Sequence, residues 1–313
     1  MLGRTAGGLF WMFRYLERAE NTARLIETGW RIALTRSERA ETEWESVVTT
    51  AGLRDAFLAK YDSFDPQSVV NFLLRDRDTP SSVLCTLSAA RSNARMVRTA
   101  LSSEVWEATN ECWMAIKDAL SRPVTTRTLP EILAAIRYRT AVVRGALHGT
   151  MLRNDIFAFA RLGTFIERAD NTARILDVKY YVLLPSAAFV GSSMDNTQWE
   201  TILRSVSADR AFRWLHAGES SPLAIADFLI LDQRMPRSLA FCCAEIGDNL
   251  AMLEREYGER SPCMDLAQTL CQGFMSRNID EIFEDGLHEF LSDTLSAAAC
   301  LAGQIEQDFR FNG

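Results

Sequence analysis

The sequence predicts an all-α protein, a helical bundle built from two tandem, pseudo-symmetric repeats. Apolar residues recur every three or four positions almost throughout, the period of an amphipathic helix. No stretch alternates strictly between apolar and polar residues, as a half-buried strand would. The chain also carries one charged helical phrase twice, ERAENTARLIE over 17–27 and ERADNTARILD over 167–177.

A shift of about 150 positions superimposes Glu17-Arg18-Ala19 on Glu167-Arg168-Ala169 and Asn21-Thr22-Ala23-Arg24 on Asn171-Thr172-Ala173-Arg174. Where the copies differ, the chemistry is kept: Glu20 becomes Asp170, Leu25-Ile26 becomes Ile175-Leu176, and Glu27 becomes Asp177. The echo continues downstream. EWESVV around Trp44 matches QWETIL around Trp199, and VVNFLLRDRDTPSSV aligns with AIADFLILDQRMPRSL, pairing Phe72 with Phe228, Asp76 with Asp232, Pro80 with Pro236 and Ser82 with Ser238. Such register is that of a tandem duplication. It divides the chain into a first α-helical repeat over 1–120, a connecting segment with a helix over 121–149, and a second repeat over 150–313, together one compact unit.

In chain order, ERAENTARLIETGWRIAL, SVLCTLSAARSNARMVRTAL, LPEILAAIRYRTAVVRGAL, FIERADNTARILD, RSLAFCCAEIGDNLAMLEREYG and DGLHEFLSDTLSAAACLAGQIEQDF are helices by this period. Breaks fall at DSFDPQ, RDTPSS, SRPVTTRTLP, LPSAAFVGSSMDN, HAGESSP and YGERSPC, where proline, glycine and small polar residues interrupt it. Pro80 and Pro236 suit the first position of a helix, where a missing N–H has no intrahelical partner to lose. Thr79 is then the expected N-cap of the first helix, Met235 is a poor one for the second, and Asp76 and Asp232 are expected to accept from free N–H groups at the same starts. Trp11, Trp30, Trp44, Trp106 and Trp199 are read as core anchors.

The chain has 313 residues, 48% hydrophobic and 24% charged, the balance of a soluble globular protein. A net charge of −7, with no run of Lys or Arg, argues against nucleic acid as a partner. Cys85, Cys112, Cys242, Cys243, Cys263, Cys271 and Cys300 are odd in number and never spaced C-x-x-C, which reads as buried thiols in a reducing compartment. No eighteen apolar residues run together, the stretch VKYYVLLPSAAFVG is broken by Pro185, and the N-terminus passes straight into an amphipathic helix. The expectation is a cytoplasmic protein with no membrane partner. There is no G-x-x-x-x-G-K-[ST], no G-x-S-x-G and no H-E-x-x-H, and His148, His216 and His288 share no motif.

Chemistry therefore rests on the repeated helix. At 100° per residue, Trp11, Met12, Tyr15, Leu16, Ala19, Ala23 and Ile26 share one arc, while Arg14, Glu17, Arg18, Glu20, Asn21, Arg24 and Glu27 occupy most of the other. One reading is a solvated face, with Glu20–Arg24 and Asp170–Arg174 at i,i+4 spacing worth about 0.2–0.5 kcal/mol a pair. A second is a buried ionic cluster at a pseudo-two-fold axis, with Glu17 meeting Arg168 and Arg18 meeting Glu167. A third is a site: Glu17, Glu20 and Asn21 opposite Glu167, Asp170 and Asn171 offer hard oxygens to a divalent cation, and Arg24 and Arg174 offer planar forks to a carboxylate or phosphate.

MLGRTAGGLFWMFRYLERAENTARLIE at the start, SAARSNARMVRTALSSEVWEATN over 88–110, FIERADNTARILDVKYYVLLP over 165–185, and QWETILRSVSADRAF with FLILDQRMPRSLAFC later resemble the alpha-E family over nearly the whole chain. That family's Glu-Arg motif maps to Glu17-Arg18, with Glu167-Arg168 as its second copy. The resemblance implies a helical protein encoded beside, or fused to, circularly permuted ATP-grasp proteins, often with transglutaminase-like peptidases and sometimes a proteasome-like peptidase. Gly7 departs from the polar or acidic residue usual in similar proteins, and Phe13 from the small one that Gly163 supplies in the second copy.

The leading expectation is a non-ATP-binding partner of an ATP-grasp amide- or peptide-bond-forming, or peptide-modifying, system, with a transglutaminase-like peptidase as a further partner. The rival is an enzyme or ligand-binding subunit. There Glu17 and Glu167 serve as acid/base or metal-binding carboxylates, and Arg18, Arg24, Arg168 and Arg174 neutralise an anionic amino-acid or peptide substrate. A standalone oligomeric scaffold with a large apolar patch away from these helices is the third. No cofactor is assigned.

Overall fold

The computed structural model describes residues 1–35, 40–181, 193–216 and 221–311. Among them the protein is all-helical, with fifteen α-helices and no strand. The helices are α1 (Gly3–Thr35), α2 (Ala40–Thr50), α3 (Arg54–Leu58), α4 (Pro66–Arg75), α5 (Val83–Met96), α6 (Ser103–Ala119), α7 (Leu129–Thr150) and α8 (Asp155–Tyr181). They continue as α9 (Ser193–Ser205), α10 (Asp209–Leu215), α11 (Pro222–Ile230), α12 (Leu239–Tyr257), α13 (Pro262–Met275), α14 (Ile279–Asp285) and α15 (Leu287–Asp308). Among the described residues no helix is long and apolar enough to cross a membrane. The break read at LPSAAFVGSSMDN lies largely outside the described residues, Pro185 included, as does most of HAGESSP.

The long helices that carry the repeated phrase, α1 and α8, pack against each other at the centre. α1 also packs on α5 and α7, with α6 between those two, and α8 packs on α12 and α15, with α13 between them. The contact of α1 with α8 is backbone to backbone at Gly163: a Cβ there would lie 2.1 Å from the Phe10 carbonyl oxygen and 3.2 Å from the Arg14 nitrogen. Gly7 has a similar use. Its missing side chain leaves room for the Phe311 ring, which a Cβ would approach to 2.9 Å.

Two buried apolar clusters result. One joins Ala6, Leu9 and Phe10 to the inner faces of α8, α12 and α15; the other joins Met12, Phe13, Leu16 and Ile26 to those of α4, α5, α6 and α7. Phe13 is buried in the second, so its bulk fills core. Trp44 and Trp199 are buried as expected of anchors.

The expected starts of α5 and α12 are corrected by three residues. Pro80 and Pro236 lie in turns closed by Ser82 N–H on the Thr79 carbonyl (3.0 Å) and Ser238 N–H on the Met235 carbonyl (2.9 Å). The helices begin beyond these turns, capped by Ser82 and Ser238, whose hydroxyls accept from Cys85 N (3.2 Å) and Phe241 N (3.0 Å). The same hydroxyls donate back to the carbonyls of Asp76 (2.6 Å) and Asp232 (2.5 Å). A serine with extended backbone both caps and braces, and that outweighs the preference of proline for the first turn. Asp76 and Asp232 do not reach the helix starts. They accept within their own turns, from the backbone N–H of Asp78 (2.9 Å) and Arg234 (2.7 Å).

Gly163→Ala is expected to lower stability by about 1–3 kcal/mol, because the new methyl meets backbone that cannot swing aside. Gly145→Ala on α7, where a Cβ meets nothing within 4 Å, is expected to be neutral or to add about 0.5–1 kcal/mol. Urea unfolding of both beside the parent chain checks the pair; equal stabilities would remove the close approach as a constraint.

Candidate functional site

The polar arc of α1 is not a solvated face. Glu17 is 1% exposed, Glu20 0% and Asn21 4%, because α8, α7 and the turn before α12 close over the side opposite the apolar arc. A helix at the centre of a bundle has no outward side, so its polar residues must find partners inside.

The two copies of the Glu-Arg motif meet crosswise. Arg168 on α8 donates to both oxygens of Glu17, Nε at 2.9 Å and Nη2 at 3.0 Å, and its Nη1 reaches the Pro236 carbonyl at 3.1 Å. Arg18 on α1 makes the reciprocal fork onto Glu167, with Nη2 at 2.8 Å from Oε2, and Arg14 Nε adds a third bond at 2.8 Å. Around Glu17 the cluster widens. Arg237 Nη1 lies 3.0 Å from Glu17 Oε1 and donates to Asn21 Oδ1 at 2.8 Å, while its Nη2 donates to Glu20 Oε1 at 2.9 Å. Arg144 from α7 bridges Glu17 (3.3 Å) and Glu20. Thr140 donates to Glu20 Oε2 at 3.0 Å, and Arg24 donates to Glu20 Oε1 through Nε at 2.9 Å and Nη2 at 2.8 Å.

Glu17, Glu20, Asn21, Arg24 and Arg168 therefore share one network, and Arg18 and Glu167 form its reciprocal fork. Asp170 and Arg174 pair with each other on the partly exposed flank of α8, at 2.8 and 3.2 Å, with the Arg174 guanidinium against Gly52. Asn171 is half-buried and takes no part in the network's hydrogen bonds. Arg24 and Arg174 thus each pair with an acidic residue one turn earlier on their own helix. Arg14, Thr140, Arg144 and Arg237 complete the cluster and were not singled out as candidates from the sequence. Arg14 lies on the polar arc, whereas Arg144 and Arg237 have no echo in the other half, Arg237 aligning with Ser81.

Electrostatics fix the protonation state. Burial disfavours the charge of Glu17, but Arg168, Arg237 and Arg144 outweigh it and hold its carboxyl well below the usual glutamate range. Burial and the adjacent Glu17 push Glu20 up; Arg144, Arg237 and Arg24 reverse the sign. Glu167 is lowered too, burial being overcome by the hydrogen bond and charge of Arg18, then by Arg14. Burial brings Arg237 down to about 10 despite Glu17, and Glu17 raises Arg168 against its burial. At neutral pH all three carboxylates are anions, with their lone pairs turned to guanidinium donors. Such a group is a poor acid, because it holds no proton, and a poor base, because its affinity for one is low. Among the described residues no three His, Cys, Asp or Glu side chains are gathered to hold a metal ion.

The model of a family described as a predicted alpha-helical domain with a conserved ER motif matches residues 1–309. An uncharacterized protein of Mycobacterium bovis and one of Mycobacterium tuberculosis are each 25% identical to the chain, over 94% of it. A further Mycobacterium tuberculosis protein is 24% identical over the same share. The chain spans 35% of the length of each of these relatives. No solved structure matches it.

Removing one member leaves buried cations uncompensated, so Glu17→Gln is expected to cost about 3–5 kcal/mol. Glu167→Gln should cost less, its arginines being better hydrated at 13% and 29% exposed. Asp170→Asn should cost under about 1 kcal/mol, the scale of a partly exposed pair. Chemical unfolding at pH 7 orders the three; a Glu17→Gln chain as stable as the parent would deny the cluster a structural role. The carboxyls of Glu17, Glu20 and Glu167 are lowered by folding, so their stabilisation is complete above the ordinary glutamate value of 4.5 and is lost as pH falls below it. Melting temperature should therefore drop on acidification below about pH 4.5, and more shallowly in Glu17→Gln.

Proposed function

The chain belongs to the alpha-E family, and on that premise we propose that it is the helical, non-ATP-binding partner in an ATP-grasp system that forms amide or peptide bonds or modifies peptides. In this reading the Glu-Arg motif is a joint. It locks two tandem repeats into one rigid body that presents a docking surface to the ligase, with a transglutaminase-like peptidase as a second partner.

The observation that carries it is the crosswise fork, Arg168 on Glu17 and Arg18 on Glu167, around carboxylates with almost no exposed surface. Two copies of one helix related by a pseudo-two-fold axis would pair in this way. The serine braces at Ser82 and Ser238 and the parallel order of packing, α1 with α5 and α7, α8 with α12 and α15, support the same duplication. The packing of α7 on α1 and α6 is compatible with a 121–149 connecting segment that lies against the first repeat. Most of each mycobacterial relative lies outside the match, which suits a unit that works joined to others. The seven cysteines are free, which suits the cytoplasm. The enzyme alternative, in which Glu17 and Glu167 act as acid, base or metal ligand on an anionic amino-acid or peptide substrate, draws no support from anions already held by two or three guanidinium groups each.

Co-expression with any ATP-grasp protein from the same operon should yield a complex that survives affinity capture and gel filtration. Capture should persist in Asp170→Asn, which keeps the fold, and fail in Glu17→Gln only at temperatures where that variant unfolds. A folded chain that captures no ATP-grasp protein would sink the proposal.

A further inference from the structure

A cleft of about 290 Å3 opens beside the cluster, where α1 and α7 face the turn between α9 and α10. Five arginines line it: Arg24, Arg31, Arg137, Arg204 and Arg210. In a chain of net charge −7 this concentration of cations stands against the overall field. The lining also holds two carboxylates: Glu27 receives Arg31 and Arg137, each at 2.8 Å, and Asp209 lies 3.0 Å from Arg213 as an ion pair, its Oδ1 buried and without a hydrogen bond.

Donors are left over. Arg137 Nε is buried without a hydrogen-bond partner, and Arg210 has no carboxylate partner among the described residues. Arg24 is held from behind by Glu20, and its Nη1 meets the hydroxyl of Ser207. Ser207 itself stands at φ 57°, the left-handed conformation that closes α9. Glycine takes that conformation at lower cost but brings no hydroxyl. Arg204 is paired with Glu200 at 3.3 Å, so the charge left without a carboxylate among the described residues is that of Arg210, near the unfilled Arg137 Nε, and a bound anion would compensate it.

We infer that this cleft binds a small oxyanion carrying at least two negative charges, a phosphoryl or dicarboxylate group gripped by Arg137 and Arg210 with Arg24 and Ser207 behind it. Guanidinium forks match either group in plane and spacing. The volume is near the lower end for small-molecule sites, which favours a compact ligand over a polymer. The inference goes beyond the partner reading, since the site lies in this chain alone and stands or falls without a ligase.

Calorimetric titration of the purified chain with pyrophosphate, phosphate and malonate, against chloride, tests it. One saturable site is expected. Arg137→Gln and Arg210→Gln should each weaken binding about tenfold or more, the scale of one lost charge-assisted hydrogen bond. Arg255→Gln, the same charge change on α12 outside the cleft, should not. Arg210 is exposed, so its variant keeps the fold and decides the matter if Arg137→Gln is unstable. Tighter binding of pyrophosphate than malonate identifies a phosphorylated ligand, and the reverse order a dicarboxylate. No saturable binding at millimolar concentration, unchanged affinity in Arg210→Gln, or equal weakening in Arg255→Gln would overturn the assignment.

Discussion

The exchange of charge between α1 and α8 is the constraint on which the rest of the bundle depends. Each helix gives a glutamate and an arginine and receives the opposite charge from the other. Desolvating these groups costs several kcal/mol per ion, and mutual attraction returns about as much only when geometry is good and the remaining hydrogen-bonding positions are filled. Around the carboxylates they are filled, by Arg144 and Thr140 from α7 and by Arg237 from the turn before α12, while Asn21 Nδ2 stays buried without a partner. Any slip of α1 along α8 would break forks on both sides at once. An apolar seam of equal area would resist such a slip far less, so the cluster contributes register more than net stability.

Close approach and charge reinforce each other. Gly163 lets the α1 and α8 backbones come near enough for the forks to reach. The large side chains then divide into two apolar clusters, one on each side of this contact, with α1 and α8 contributing to both. The helices α5, α7, α12 and α15 that surround the pair cover polar groups as well as apolar ones. The residues that complete the cluster accordingly come from the inner face of α7 and from the turn that Ser238 braces.

Much of this was legible in the sequence, for a physical reason in each case. Helical period marks α1, α5, α7, α8, α12 and α15 because one face of each is apolar. The meeting of Glu17 with Arg168 and of Arg18 with Glu167 was legible because the phrase is written twice. Burial of the polar arc was not, since period reports which residues cluster and not whether the other side meets water. Arg144 and Arg237 were illegible because each occurs in one half only, and a lone arginine, whether on a helix or in a turn, looks like any surface cation. Pro80 and Pro236 drew the helix starts too early, because a local preference was weighed without the second hydrogen bond that Ser82 and Ser238 make. The arginine cleft escaped for a related reason: its walls come from three stretches far apart in the chain, on α1, on α7 and across the turn between α9 and α10.

The hydrogen bond from Arg237 to Glu20 joins residues 217 apart in the sequence. Ribosomal synthesis proceeds from the N-terminus, so α1 emerges with Glu17 and Glu20 long before the arginines from α8 and the turn before α12 exist to receive them. Until then Glu20 has Arg24 on its own helix and Arg144 and Thr140 on α7, but Glu17 lacks its Arg168 fork, so the apolar arc of α1 can be covered by α5 while the part of its charged arc that faces α8 stays open. The first half of the nascent chain is thus held in an unfinished, hydrated state, and the order of translation sets when the bundle can close.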